Sequence, residues 1–185
     1  DTSVILVTSA TSNEGKSSVA LSTALILAEQ GQRVLLIDAD LRRGSIARMT
    51  GLEGGVGVTT ILVGDIGFAD AIQHWGTSNL SVLPSGAIPP NPGQLLTSDH
   101  LRKLVIDARE RFDVVVIDSP PVLAVSDPLW LAPVADGILV VVRYRFTKRH
   151  ALRRSLDELE STRTRILGVV LNAVKRVDSS PYHDN

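Results

Sequence analysis

At 185 residues, 44% hydrophobic and 21% charged, the chain has the size and composition of one globular domain with a sizeable core. A net charge of −1 gives no pull towards nucleic acid or an anionic membrane, and the absence of cysteine excludes disulfides, thiolate nucleophiles and Cys-ligated zinc. No apolar run approaches the ~20 residues that span a bilayer, and no signal peptide is visible. Residue 1 is Asp rather than Met, so the chain reads as a piece of a longer one, with any membrane segment upstream.

The first element is a short apolar, β-branched strand over 4–7. An apolar run without alternation predicts a strand covered on both faces, as in a parallel sheet. A small, polar loop follows, and Gly15-Lys16-Ser17 opens a helix over 17–30, which Gly31 stops. Strand, loop, Gly-Lys-Ser and helix in this order are the layout of a P-loop. Backbone N–H groups of Ser12, Asn13, Glu14, Gly15, Lys16, Ser17 and Ser18 would wrap the phosphates of ATP, aided by the helix dipole. Lys16 would reach the β- and γ-phosphates, and the Ser17 hydroxyl would bind Mg²⁺. The usual pattern is G-x-x-x-x-G-K-[ST]; Ala10 stands at its first glycine.

A second buried strand over 34–37 ends in Asp38-Ala39-Asp40-Leu41-Arg42-Arg43. Carboxylates at the C-terminal edge of a parallel strand lie where open α/β sheets bind ligands. Asp38 and Asp40 therefore share a rim with the P-loop, although Asp pairs also cap loops. The glycine-rich stretch 44–57 reads as irregular, followed by short helices over 58–63 and 68–74 and a strand over 80–83. Asn91 is placed to cap a helix with Pro92 in its first turn, and Ser98 to cap another reaching about residue 110. The run 113–117 is a further buried strand, ending in Asp118 as a Walker B strand does; such an Asp holds Mg²⁺ directly or through water. A helix beginning at Ser126 or Asp127 with Pro128, a strand over 137–143, a polar helix over 147–162 and a last strand over 166–172 complete the reading. Alternation of strands and helices predicts a mostly parallel α/β sheet, with the P-loop domain over 1–174 and a polar, frayed tail over 175–185.

With these motifs in order, the sequence resembles the bacterial tyrosine kinases (BY-kinases) of capsule and exopolysaccharide assembly, P-loop ATPases related to MinD and ParA. The resemblance rests on residues 9–18 as Walker A, Leu35-Leu36-Ile37-Asp38-Ala39-Asp40-Leu41-Arg42 as the additional Walker A′, and Val115-Val116-Ile117-Asp118-Ser119-Pro120 as Walker B. The segments Ile88-Pro89-Pro90-Asn91-Pro92 and Gly168-Val169-Val170-Leu171-Asn172 also look like the family's. It implies ATP- and Mg²⁺-dependent transfer of the γ-phosphoryl group to tyrosine, usually in the kinase's own C-terminal tail. Lys16 would neutralise phosphate, Ser17, Asp40 and Asp118 would act on the metal, and Asp38 or Asp40 would accept the tyrosine proton. Arg42 would stabilise transferred charge or pair with an acidic neighbour. Asn172 would contact the base or cap its strand.

The resemblance also implies a ring-shaped homo-oligomer, a transmembrane activator (fused or separate), a protein-tyrosine phosphatase, and a cytoplasmic place at the inner face of the membrane. Two departures stand out. Ser12-Asn13 replaces the family's Pro-Gly in the P-loop, where Asn tolerates positive φ. The only tyrosines are Tyr144 and Tyr182, and Tyr182, in the tail, is the expected phosphoacceptor.

Two other functions fit a P-loop. A MinD- or ParA-like ATPase switch would carry a signature lysine five residues before Lys16, where Thr11 stands. A nucleotide-binding scaffold of a polysaccharide assembly would be expected to lack one of Lys16, Ser17, Asp40 and Asp118. His74, His100, His150 and His183 have no metal-ligand spacing. Lys148, Arg149, Arg153 and Arg154 are balanced by Asp157, Glu158 and Glu160, so no nucleic-acid partner is expected.

Overall fold

The computed structural model describes residues 3–76 and 79–174. Its strands are β1 (Ser3–Ser9), β2 (Val34–Asp38), β3 (Gln73–His74), β4 (Leu80–Leu83), β5 (Val114–Asp118), β6 (Gly137–Arg143) and β7 (Ile166–Asn172). They form one sheet in the order β3-β4-β2-β5-β1-β6-β7. Every pairing is parallel except that of β3 with β4. The order reverses at β1, and the crevice at such a switch point is where α/β sheets bind ligands.

The helices are α1 (Lys16–Glu29), α2 (Ile46–Thr50), α3 (Val58–Leu62), α4 (Phe68–Ala71), α5 (Pro92–Leu96), α6 (Asp99–Arg111), α7 (Asp127–Leu131) and α8 (Arg149–Glu160), with a 3₁₀ turn over Ala132–Val134. Both faces of the central strands are covered, which explains their unbroken apolar runs. Val4, Leu6, Leu35, Ile37, Val115 and Ile117 join one core; Val7, Val34, Leu36, Val114 and Val116, one step out of phase, join the other. Helix α1 lies on the second face through Ala20, Ala24 and Ala28, four residues apart, whose small side chains let the helix sit close to the sheet.

Three expectations change in detail. The stretch 44–57 contains the short helix α2, closed by Gly51 in the left-handed region (φ 73°). The helix expected over 68–74 ends at Ala71, because Gln73 and His74 pair with Val82 and Ser81 as an edge strand. Asn91 and Ser98 precede α5 and α6 as expected, but neither makes a side-chain cap; the Ser98 hydroxyl donates to the Leu95 carbonyl at 2.7 Å instead. The 175–185 tail, with Tyr182, lies outside the described residues.

Candidate active site

The strand register assembles the site. Asp118 is paired with Asp38 on one side and Val7 on the other, so both carboxylates leave the sheet beside the P-loop. The loop turns through two left-handed residues, Asn13 (φ 65°) and Gly15 (φ 87°). A β-carbon at Gly15 would stand 2.1 Å from Asn172 Nδ2, so glycine is required by backbone and by space. The Val19 N–H bonds the Gly15 carbonyl at 3.0 Å, the start of α1. The amides of Lys16, Ser17 and Ser18 therefore have no intrahelical acceptor and sit at the positive end of the helix. Ala10, at the usual first glycine, is fully buried and leaves the turn intact.

Lys16 lies at the centre. Its Nζ is 3.3 Å from Asp40 Oδ2, 3.6 Å from Asp118 Oδ1 and 3.2 Å from Ser17 Oγ. Asp118 is wholly buried, and neither of its oxygens has a hydrogen-bond partner among the described residues. Burial pushes its pKa up to about 7 against the opposing pull of Lys16.

Asp38 is placed differently. Its Oδ2 accepts from the amides of Ser45 (2.8 Å) and Ile46 (2.9 Å), and its Oδ1 from that of Asp40 (3.2 Å). Burial raises its pKa, opposed by those amides. It holds the loop between β2 and α2 in shape, while Asp40 lines the cavity beside Lys16.

That cavity, of about 520 Å³, runs from Ser12, Asn13, Gly15, Lys16, Ser17 and Ser18 across Asp40 to Arg43, Arg48 and Met49, with Pro120, Pro121, Ala124 and Val125 opposite. Arg42 also lines it, and its guanidinium makes two 3.0 Å hydrogen bonds to the buried carboxylate of Asp127.

On the far side the P-loop is braced by its own Glu14, by Asn172 and by two residues the motifs did not reveal, Arg143 and Thr147. Glu14, 1% exposed, turns inward: its Oε2 accepts from the Thr11 amide at 2.7 Å and its Oε1 from the Thr147 hydroxyl. Arg143 Nη1 donates to the Asn13 carbonyl at 3.1 Å. Asn172 Nδ2 donates to the Glu14 carbonyl at 3.0 Å, and Asn172 Oδ1 accepts from the Ala173 amide at 2.8 Å. Strand ends β6 and β7 thus grip the loop opened by β1.

Among the described residues no group of three or more His, Cys, Asp or Glu could hold a metal ion, and no helix is long and apolar enough to cross a membrane.

This geometry defines a P-loop nucleotide enzyme with an added acidic loop after its second strand. The family model described as an AAA domain matches residues 2–168. The tyrosine-protein kinase YwqD of Bacillus subtilis is 38% identical over 96% of this chain and 75% of its own. The tyrosine-protein kinase Etk of Escherichia coli is 34% identical over 98% of this chain, which spans a quarter (25%) of that relative's length. The solved kinase domain of Escherichia coli ETK superposes with a TM-score of 0.91 at 33% identity, covering 97% of this chain and 71% of that one. The septum site-determining protein MinD of Pyrococcus horikoshii shares the fold (TM-score 0.82, 22% identity, 96% and 73% covered). The chain therefore belongs to the AAA-domain family and, within it, to the bacterial tyrosine-protein kinases.

Proposed function

We propose that the chain moves the γ-phosphoryl group of ATP to a tyrosine hydroxyl in the cavity between the P-loop and the β2–α2 loop. The observation that carries this reading is the Asp40–Lys16–Asp118 cluster beside the free amides of α1. The P-loop amides of residues 12–18 and the Lys16 ammonium bind the phosphates. Asp40 lines the open side and accepts, or orients, the phenol hydrogen. The new bond joins the phenol oxygen to the γ-phosphorus, the bond to the bridging oxygen breaks, and ADP leaves. A carboxylate near its reference pKa of ~4 is a weak base for a phenol of ~10. Orientation suffices where catalysis is mainly positioning and charge stabilisation.

The residues fit Mg²⁺. Asp118, a buried carboxylate whose oxygens accept no hydrogen bond within normal distance among the described residues, shares Lys16 with Asp40 and the Ser17 hydroxyl, a hard-oxygen set of the kind that takes Mg²⁺ together with phosphate. Bound there, the ion would neutralise charge on the phosphates. The placement of Asp38 supports a structural part and leaves the acceptor role to Asp40. The engaged amide of Asn172 supports bracing of the P-loop over contact with the base, and the Asp127 pair supports anchoring of Arg42 over charge transfer.

Around this domain, taken as 1–174, the relatives support a wider proposal: control of capsule or exopolysaccharide polymerisation and export. The proposed partners are a transmembrane activator, further copies of the chain in a ring and a protein-tyrosine phosphatase, at the inner face of the membrane, with Tyr182 as an acceptor. The MinD-like fold makes an ATPase switch the alternative. The test supplies Mg-ATP and a tyrosine peptide and measures both products. A kinase yields phosphotyrosine in step with ADP; a switch yields free phosphate and unmodified peptide.

A further inference from the structure

The phosphate-binding half of the cavity is accounted for by the P-loop; its other half is not. That half is bounded by Arg43, Arg48 and Met49 on one side and by Pro120, Pro121 and Val125 on the other. Among the described residues four cations line the cavity, and they fall into two pairs. Lys16 is matched by Asp40 and Asp118, and Arg42 by Asp127. Arg43 and Arg48 are exposed and enter no ion pair among the described residues. They project from one segment, held rigid where Asp38 collects the Ser45 and Ile46 amides and Asp40 accepts the Arg43 amide at 3.0 Å.

We propose that this wall selects acceptor segments in which acidic residues flank the tyrosine. The inference rests on the kinase reading for the phosphoryl donor but concerns a distinct surface. The phenol ring enters between Met49, 39% exposed, and the proline-lined wall of Pro120, Pro121 and Val125, reaching Asp40 at the base. Arg43 and Arg48 receive Asp or Glu side chains within about three residues of the tyrosine, a span of roughly 10 Å. Guanidinium groups suit carboxylates because their donors form a planar fork. Among the described residues the wall is lined by Arg, Met, Pro and Val side chains and by no aromatic ring of the kind on which the bases of a single strand stack.

The test measures binding of two fluorescent peptides to the chain with Mg²⁺ and a non-hydrolysable ATP analogue. One has a central tyrosine flanked by Glu, the other has Gln at those positions. The Glu peptide is expected to bind at least ten-fold tighter, less so at high salt. In R43Q/R48Q that preference falls to within two-fold, while affinity for the ATP analogue and the melting temperature stay unchanged. Equal binding of the two peptides to the unaltered chain, or a preference that survives in R43Q/R48Q, overturns the proposal. So does a matching loss of analogue affinity, which would assign both arginines to the nucleotide. Replacing the analogue with ATP separates the two readings. A retained Glu preference without phosphotyrosine would refute the kinase reading and leave the acidic-segment site standing.

Discussion

Arg42 and Asp127 are 85 residues apart in the chain and joined by two 3.0 Å hydrogen bonds, with the Asp127 side chain fully buried and that of Arg42 41% exposed. The pair ties the acidic loop after β2 to the start of α7, across the cavity from the P-loop. Breaking it from the arginine side strands a buried carboxylate, which is the expensive direction. R42A is expected to lose about 3 kcal/mol of stability, read as a lower urea midpoint at unchanged slope. The double variant R42A/D127A should be less destabilised than the sum of its singles, giving a coupling of about 1–3 kcal/mol.

Asp118 sets a pH dependence. In metal-free, nucleotide-free buffer its pKa is about 7, against ~3.9 in the unfolded chain. Between these values the native state holds a proton that the unfolded state has released. Stability from this group is therefore complete below pH ~4 and falls as pH rises towards 7, by at most about 1.4 kcal/mol per unit. D118N should remove that slope and raise the melting temperature at pH 8, while Mg²⁺ ceases to strengthen nucleotide binding. An unchanged pH profile in D118N would place the titration elsewhere.

The Glu14 brace predicts a loss of fit in the P-loop. E14A leaves the Thr11 amide and the Thr147 hydroxyl without their acceptor, at about 1–3 kcal/mol. T147V removes one of these bonds and should weaken ATP about ten-fold less than E14A does. Calorimetry on both variants, with folding checked by thermal melts, decides this.

Asn172 predicts an effect blind to the base. N172A removes the 3.0 Å bond to the Glu14 carbonyl, so affinities for ATP, ADP and GTP should fall together, by about five- to ten-fold. A loss confined to adenine nucleotides would mean that the amide reads the base.

Most of the frame was legible in the sequence because its signals are local. Unbroken β-branched runs marked the buried strands, Gly15-Lys16-Ser17 marked the phosphate loop, Asp118 stood at the end of its strand and Asp40 two residues past the end of β2. What stayed hidden depends on contacts across long separations. Glu14 and Thr147 meet over 133 residues, and Asp127, by its position one more residue at a helix start, carries its carboxylate to Arg42 over 85 residues. Asp38 and Asp40, equal as letters, differ through three backbone amides that converge on Asp38. The edge strand β3 was read as helix because its two residues are set by pairing with β4, not by their own pattern. Asn13 in the glycine position was legible, since its tolerance of positive φ matches the observed 65°.

The most direct measurement is mass spectrometry of the chain and a supplied multi-tyrosine peptide after incubation with Mg-ATP, for the unaltered chain, K16M, D40N and D38N. Phosphotyrosine is expected with the unaltered chain, is absent with K16M and falls at least 100-fold with D40N. In D38N the loss should track the loss of folded protein. Phosphotyrosine that persists in K16M and D40N, or ATP consumed with no phosphotyrosine on any acceptor, would contradict transfer at the Lys16–Asp40 cavity.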